Sequence, residues 1–242
     1  MLAKCQGIVV RIINYSETSV ILKCYTDLFG MQSYLIQGVR KNKGNIRPSQ
    51  LMPLNLLQLE VYHQENKNLQ RIKELRCAPT LSQIHFNFVK SSIAMFMSEV
   101  IYRAIKEENQ PDELLFSYLF NSIQILDEQT DILANYPICF LLQLSRFLGF
   151  YPKVNELSTE AVFNFNDGHF ELPELNNPFQ ADYLSSKLLA ELLQLNFAHQ
   201  QQVQVSSSTR KNLLQLLIHY FNQHLSNFSN MQSHLVLAEV LE

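Results

Sequence analysis

The sequence VILKCYTDLFGMQSYLI at residues 20–36 decides the fold class of the first third of this chain. Val20, Leu22 and Cys24 alternate with a second set of residues that includes Lys23. A turn that contains glycine follows, and a second apolar segment comes after it. Strict alternation bounded by turn residues predicts two half-buried β-strands joined as a hairpin.

Similar short segments recur on both sides of this hairpin, up to about residue 77. The pattern predicts five strands in all, at residues 8–13, 20–25, 34–36, 57–62 and 69–75. Five short strands at close spacing are typical of a small antiparallel barrel or sandwich. An OB-fold fits this number and spacing best, and an SH3-like barrel is the alternative.

The pattern becomes helical from residue 80 onward. A capping box at Thr80 and Gln83 predicts a helix that continues to about residue 106. Prolines, glycines and apolar spacing predict further helices after Pro111, at 137–149, at 177–196 and after Ser206. Alternation around Asp167-Gly168 predicts a β-hairpin near residues 161–172. The predicted class is α+β, with an N-terminal OB-fold domain at 1–79 and a mostly helical domain at 80–242.

Charge is divided unequally between these two halves. The 242 residues carry a formal net charge of −3, but residues 1–80 hold 11 lysines and arginines against 5 acidic residues, and residues 81–242 hold 8 against 17. This asymmetry indicates a basic binding module joined to an acidic one. The four cysteines lack CxxC spacing, and no apolar run approaches a membrane span. We therefore expect no signal peptide and a soluble, cytoplasmic protein with reduced thiols.

A short basic segment, residues 37–48, follows the predicted hairpin. Its glycines and proline keep it out of a helix or a central strand. Long cationic side chains on such a loop suit contacts with DNA phosphates, although a solvated charged turn is the plain alternative. The candidate phosphate contacts in this loop are Arg40, Lys41, Lys43 and Arg47.

Cations on the predicted strands form a second group of candidates. They alternate with apolar residues, so they are expected on the outer face of the barrel: Arg11, Lys23, Arg71 and Lys73. Tyr25 and Tyr34 are candidates for stacking on bases or, equally, for the core.

Motifs of catalysis are absent from the sequence. The six glycines form no P-loop, dinucleotide fingerprint or nucleophile elbow. His219 and His224 are five residues apart, so they do not share one helix face as metal ligands would. The pattern favours a protein that is not an enzyme and that carries no cofactor.

Several motifs follow one another in order and at consistent spacing. They are residues 7–10 and 15–20 in the first hairpin, Thr26 and residues 29–30 at the next turn, residues 38–41 through Arg47 in the basic loop, and the segment LLQLSRFLGFYP at 141–152. Together they resemble the motifs of the RecO family of bacterial recombination mediators. The resemblance is collinear over nearly the whole chain.

The resemblance implies an OB-fold, a helical C-terminal domain and binding of single- and double-stranded DNA. It also implies strand annealing, and cooperation with RecR to load RecA onto strands coated by single-strand-binding protein. The family's DNA-binding loop falls on the four cations of residues 40–47. Many members carry a four-cysteine zinc site after the Leu-Gly-Phe-x-Pro segment, but residues 153–159 here hold no cysteine. We therefore expect no structural metal, with Phe163, Phe165 and Phe170 holding the hairpin instead.

The apolar surplus of the helices at 82–106 and 209–228 is either core or a groove for a partner. In the resembled family the helical domain receives the acidic, apolar-ended C-terminal tail of single-strand-binding protein. A groove for such a tail needs a cation, and the candidates are Arg146 and Arg210, then Arg103, Lys106 and Lys211, all of which could instead be solvated surface charges. A protein–protein adaptor whose barrel does not bind nucleic acid remains the alternative function.

Overall fold

The computed structural model of this protein describes residues 1–39, 46–106, 110–130, 133–154, 160–195, 197–200, 202–226 and 228–241. These residues form two compact units, Met1–Gln129 and Thr130–Glu242. Within the described ranges, the helices are all too short or too polar to cross a membrane.

The first unit contains a closed five-stranded barrel. Its strands pair in the order β1-β2-β3-β5-β4, with β3 and β5 parallel and the other pairs antiparallel. This is the order of an OB-fold, and it confirms the fold predicted from the alternation. The strands are β1 (Leu2–Asn14), β2 (Val20–Thr26), β3 (Gly30–Ile36), β4 (Leu56–Tyr62) and β5 (Gln70–Cys77), and a 3-10 turn at Pro48–Leu51 lies between β3 and β4.

The barrel interior is filled by alternate residues of each strand. Val20, Leu22 and Cys24 of β2 all belong to this core, as the sequence pattern predicts. Strand β1 departs from simple alternation, because its register with β2 shifts between Val9 and Arg11. Such a bulge inserts one extra residue into β1, so the side chains beyond it alternate in a different register from those before it.

The described part of the first unit also contains the helices α1 (Phe88–Ala104) and α2 (Glu113–Glu128). Helix α1 begins later than predicted, with Asn87 as its N-cap, because the backbone N–H groups after Thr80 have another partner. The carboxylate of Asp127 accepts hydrogen bonds from the N–H groups of Ser82, Gln83 and Ile84 at 2.8 Å each. The predicted capping box is therefore wrong.

The second unit is helical with one small sheet. Its helices are α3 (Tyr136–Phe147), α4 (Tyr183–Gln194), α5 (Phe197–Gln200), α6 (Ser207–His224) and α7 (Ser233–Val240), and its sheet pairs β6 (Val162–Asn164) with β7 (His169–Glu171). The hairpin at Asp167-Gly168 is confirmed, and Gly168 adopts the positive φ (+72°) that its turn needs. Helix α4 begins at Tyr183, six residues later than predicted, with Asp182 as its N-cap.

Aromatic side chains hold the hairpin against α6. Phe163, Phe165 and Phe170 are buried, as expected. The Phe163 ring lies 5.2 Å from that of Phe170 and 5.5 Å from that of Tyr220 on α6. The backbone N–H of Phe163 also donates to the Ser186 hydroxyl on α4 at 2.9 Å, which ties the hairpin to a second helix.

The barrel ends at Cys77, and α1 and α2 lie in the same compact unit as the barrel. The division of the chain into a DNA-binding domain at 1–79 and a second domain at 80–242 stays a prediction.

Candidate nucleic-acid interface

The helices of the first unit cover only part of the outer face of β1, β2 and β3. Ile8, Tyr25 and Met31 are register partners on this face, and all three are buried. The Tyr25 ring lies 6.0 Å from that of Phe116 on α2, and the Ser98 hydroxyl on α1 donates to the Val10 carbonyl. Helices therefore cover the end of this face nearest the β2–β3 turn.

The other end of the same face carries two of the predicted cations. Arg11 of β1 pairs in register with Lys23 of β2, and Lys23 pairs with Ser33 of β3. Register partners in antiparallel strands have Cα atoms about 4.5–5.5 Å apart, so two positive side chains lie side by side. The Lys23 ammonium donates to the Ser33 hydroxyl at 2.6 Å, and partial burial lowers the pKa of Lys23.

A third predicted cation, Arg71, extends this basic region to β5. It is exposed, and it is the register partner of Leu35 on β3. Lys73 lies two residues further along β5, but its ammonium forms an ion pair with Glu60 at 3.0 Å. The charge of Lys73 is thus already balanced by a carboxylate.

The basic loop is described only at its last cation. Arg47 is exposed and forms the N-cap of the 3-10 turn, where its backbone N–H donates to the Gln50 side chain at 2.8 Å. Arg40, Lys41 and Lys43 lie outside the described residues, so their role stays a prediction.

The two tyrosines considered for base stacking are both buried. Tyr25 is 1% exposed under α2, and Tyr34 is 0% exposed inside the barrel. A different tyrosine lies beside the cations of this face: the Arg11 guanidinium is 4.7 Å from the centre of the Tyr102 ring on α1. No local pattern could have joined these two residues, because 91 positions separate them and only the packing of α1 on β1 brings them together.

A cavity of about 340 Å³ in the second unit is lined by two of the cations predicted for partner binding, Arg210 and Lys211. Its apolar wall comes from α3, α6 and α7, with Ile138, Leu214 and Leu237 as representative residues. The first turn of α6, with Ser207 and Ser208, also lies on the cavity, and the positive end of a helix dipole favours an anion. The cavity thus combines an apolar surface with positive charge.

Arg210 is held in place by neutral acceptors. Its nitrogen atoms donate to the Asn135 side-chain oxygen at 3.1 Å and to the carbonyls of Leu241 at 3.2 Å and Val205 at 3.1 Å. Burial lowers the pKa of Arg210, and neutral oxygens do not cancel its charge. Lys211, in contrast, is exposed at the rim.

The other three predicted partner-binding cations lie elsewhere. Arg146, at the end of α3, stacks over the Tyr151 ring at 5.0 Å. Arg103 forms an ion pair with Glu99 at 2.8 Å on α1, and Lys106 follows the same helix. Arg103 and Lys106 belong to the first unit, whereas Arg146, Arg210 and Lys211 belong to the second.

Within the described part of the chain, no cluster of three or more His, Cys, Asp or Glu residues that could hold a metal ion occurs. His219 and His224 contact aromatic rings, namely those of Phe165 at 5.0 Å and Phe150 at 4.7 Å. Cys139 is buried in α3, and the other three cysteines belong to the barrel strands. The residues around the hairpin do not fit a tetrahedral zinc site, and the expected absence of metal stays a prediction.

Comparison with known proteins gives a consistent family assignment for both parts of the chain. Residues 1–80 match the family model described as Recombination protein O N terminal, and residues 85–233 match Recombination protein O C terminal.

Proteins named DNA repair protein RecO are similar over the full length. The one from Azobacteroides pseudotrichonymphae is 34% identical over 242 residues, with 100% of both chains covered. The one from Flavobacterium psychrophilum is 34% identical with 99% of both covered, and that from Bacteroides fragilis is 33% identical with 100% of both covered. With an OB-fold barrel, a helical second unit and matches along both, this chain belongs to the RecO family.

Proposed function

We propose that this protein is a DNA repair and recombination mediator whose barrel binds single- and double-stranded DNA. The observation that carries the proposal is the pairing of Arg11 with Lys23 on the open part of the β1–β3 face, extended by Arg71 on β5. The outer face of the central strands is where OB-folds bind nucleic acid, and cations on that face favour phosphates.

The basic loop would add phosphate contacts at the same end of the barrel. It follows β3 directly, and β3 ends at Ile36, next to Leu35, the register partner of Arg71. In this proposal Arg40, Lys41, Lys43 and Arg47 bind the DNA backbone without reading sequence, because phosphate contacts position a protein but carry no sequence information. Lys73 contributes little, since Glu60 already neutralises it.

Membership of the RecO family supports the remaining steps of the proposal. The protein would anneal complementary strands and, with RecR, help to load RecA onto strands coated by single-strand-binding protein. It would do so without catalysing a covalent reaction, in the cytoplasm and on the nucleoid. The cavity at Arg210 and Lys211 would receive the acidic, apolar-ended tail of single-strand-binding protein, because it offers both apolar walls and cations.

The alternative function is a protein–protein adaptor whose barrel does not bind DNA. A salt titration distinguishes the mediator from the adaptor. Fluorescence anisotropy with a labelled single strand and with its duplex would be measured over a series of salt concentrations. The mediator predicts binding whose affinity falls steeply and linearly on a log–log plot, because each phosphate contact releases condensed counterions. The adaptor predicts no binding, or weak binding without a salt slope.

A further inference from the structure

An apolar row lies between the cations of the barrel face. Ile13 of β1 pairs in register with Ile21 of β2, Ile21 pairs with Leu35 of β3, and Leu35 pairs with Arg71 of β5. The neighbours of these residues along the strands, such as Leu22 and Ile36, point into the barrel core. By alternation, the row therefore lies on the outer surface of the barrel.

This row is partly open to solvent. Ile13 is 36% exposed, and Ile21 and Leu35 are half-buried. Arg11 and Lys23 form the neighbouring row on the same face, two residues before Ile13 on β1. Arg71 on β5 is the last member of the apolar row. The surface is thus an aliphatic strip with positive charge along one side and at one end.

An exposed aromatic residue lies next to this strip. Tyr15 follows the end of β1 directly, in the turn that joins β1 to β2, and its backbone N–H donates to the Ser19 carbonyl at 3.1 Å. Its side chain is 60% exposed. In OB-folds the β1–β2 loop is one of the two loops that contact nucleic acid.

The base faces of duplex DNA cannot contact such a strip, because the bases are stacked and paired inside the helix. A single strand exposes both its phosphates and the faces of its bases, which stack on aromatic residues and pack on apolar ones. The charges flanking the strip are complementary to a phosphate backbone, and the strip itself is complementary to bases. The arrangement matches one occupant, an unpaired DNA strand, better than it matches an apolar protein surface.

We propose that Ile13, Ile21, Leu35 and Tyr15 form a nucleobase platform, on which single-stranded DNA binds with its bases while Arg11, Lys23 and Arg71 bind its phosphates. This inference rests on the proposed DNA-binding function and adds the way in which the protein distinguishes a single strand from a duplex. The cations serve both forms of DNA, and the platform serves only the unpaired one.

The test compares variants of the full chain on a labelled single strand and on the blunt duplex of the same sequence. Ile13→Thr combined with Ile21→Thr retains β-propensity and removes apolar surface. We expect the dissociation constant for the single strand to rise at least roughly fivefold, that for the duplex to stay within about twofold, and the salt slope for both to stay unchanged. Leu28→Thr, at an exposed position in the β2–β3 turn, is the matched control and should change neither.

Tyr15 gives a second test that does not depend on the strands. Tyr15→Ser should weaken binding of the single strand alone, and Tyr15→Phe should restore it to within about twofold of the unmodified protein, because the ring is what stacks. Equal losses on single strand and duplex, or no loss for either set of variants, would overturn the platform. If the unmodified protein binds both forms with steep salt slopes while the variants show no selectivity, only this inference fails. If it binds neither form, the proposed function fails as well.

Discussion

The guanidinium of Arg11 on β1 lies 4.7 Å from the centre of the Tyr102 ring on α1. Helix α1 thus positions a cation on the barrel face that we propose as the DNA-binding surface. The packing of α1 therefore helps to fix the position of a positive charge on the sheet. Substitution of the ring and of the cation, singly and together, tests this coupling.

Tyr102→Leu should weaken DNA binding, since it removes the ring that orients Arg11. A cation–π contact contributes ~0.5–1 kcal/mol at an exposed site, which corresponds to a loss of about two- to fivefold in affinity. Tyr102→Phe should retain the affinity. In an Arg11→Ala background, Tyr102→Leu should have no further effect, because the two residues act through one contact. Independent, additive losses in this double-mutant cycle would rule out the positioning role.

Asp127 is expected to stabilise the first unit through the segment that precedes α1. Its carboxylate accepts hydrogen bonds from the backbone of Ser82, Gln83 and Ile84, and its own carbonyl accepts one from the buried Lys90 ammonium at 2.7 Å. Asp127→Asn should lower the free energy of unfolding by ~1–3 kcal/mol, because charge-assisted hydrogen bonds are lost. Urea unfolding at pH 7 measures this, with the exposed neighbour Glu128→Gln as a control that should have little effect.

The same carboxylate predicts a pH dependence with a definite sign. Burial by itself raises the pKa of Asp127, but the hydrogen bonds from Ser82, Ile84 and Gln83 outweigh it and hold the pKa below the ordinary value. The stabilisation is therefore fully present above the unfolded pKa of about 3.9 and is lost as the pH falls through the lower pKa of the folded state. The stability difference between the natural protein and Asp127→Asn should shrink in that window and stay constant from pH 5 to 7.

The hairpin of the second unit should be independent of metal. Its turn is closed by Gly168, and Phe163 packs on Phe170 and Tyr220 without any cysteine nearby in the sequence. Elemental analysis of protein purified without a metal-binding tag should show far less than one zinc per chain, and a chelator should leave the melting temperature unchanged. Stoichiometric zinc that survives dialysis would contradict this expectation.

The cavity beside α6 should bind a short acidic peptide that ends in an apolar residue. Calorimetry with such a synthetic peptide is expected to give micromolar binding, and Lys211→Glu should weaken it several-fold by reversing an exposed rim charge. Lys187→Glu, an exposed charge on α4, is the matched control. Arg210 is a poorer choice for this test, because its hydrogen bonds to Asn135, Val205 and Leu241 are also structural. Absence of binding, or equal effects of the two reversals, would refute the assignment.

The sequence pattern was sufficient for the barrel because alternation is a local property. Val20, Leu22 and Cys24 face the core as expected, and the Asp167-Gly168 hairpin forms where it was predicted. The start of α1 was not predictable in the same way, since Asp127 lies more than 40 residues after the N–H groups that it binds.

The candidate interface shows the same limit. The alternation predicts that Arg11 and Lys23 face outward, but their pairing depends on a register that a bulge shifts. Tyr25 lies on the outer face, as its position in the alternation implies, yet α2 buries it. The sequence does not distinguish the aliphatic row, because an exposed isoleucine and a core isoleucine have the same local pattern, and only the positions of the helices separate them.

The central claim, that the barrel face binds DNA phosphates, is tested most directly by the salt slope of a charge-reversal variant. Arg11→Glu combined with Lys23→Glu should lower the log–log salt slope by about 1.8 for duplex and about 1.4 for a single strand, since each lost phosphate contact removes ~0.9 or ~0.7. The affinity should fall well over tenfold. Arg76→Glu, on β5 beside Gln58, is the matched control and should leave the slope within about 0.3 of its original value. An unchanged slope and affinity in the correctly folded double variant would contradict the account.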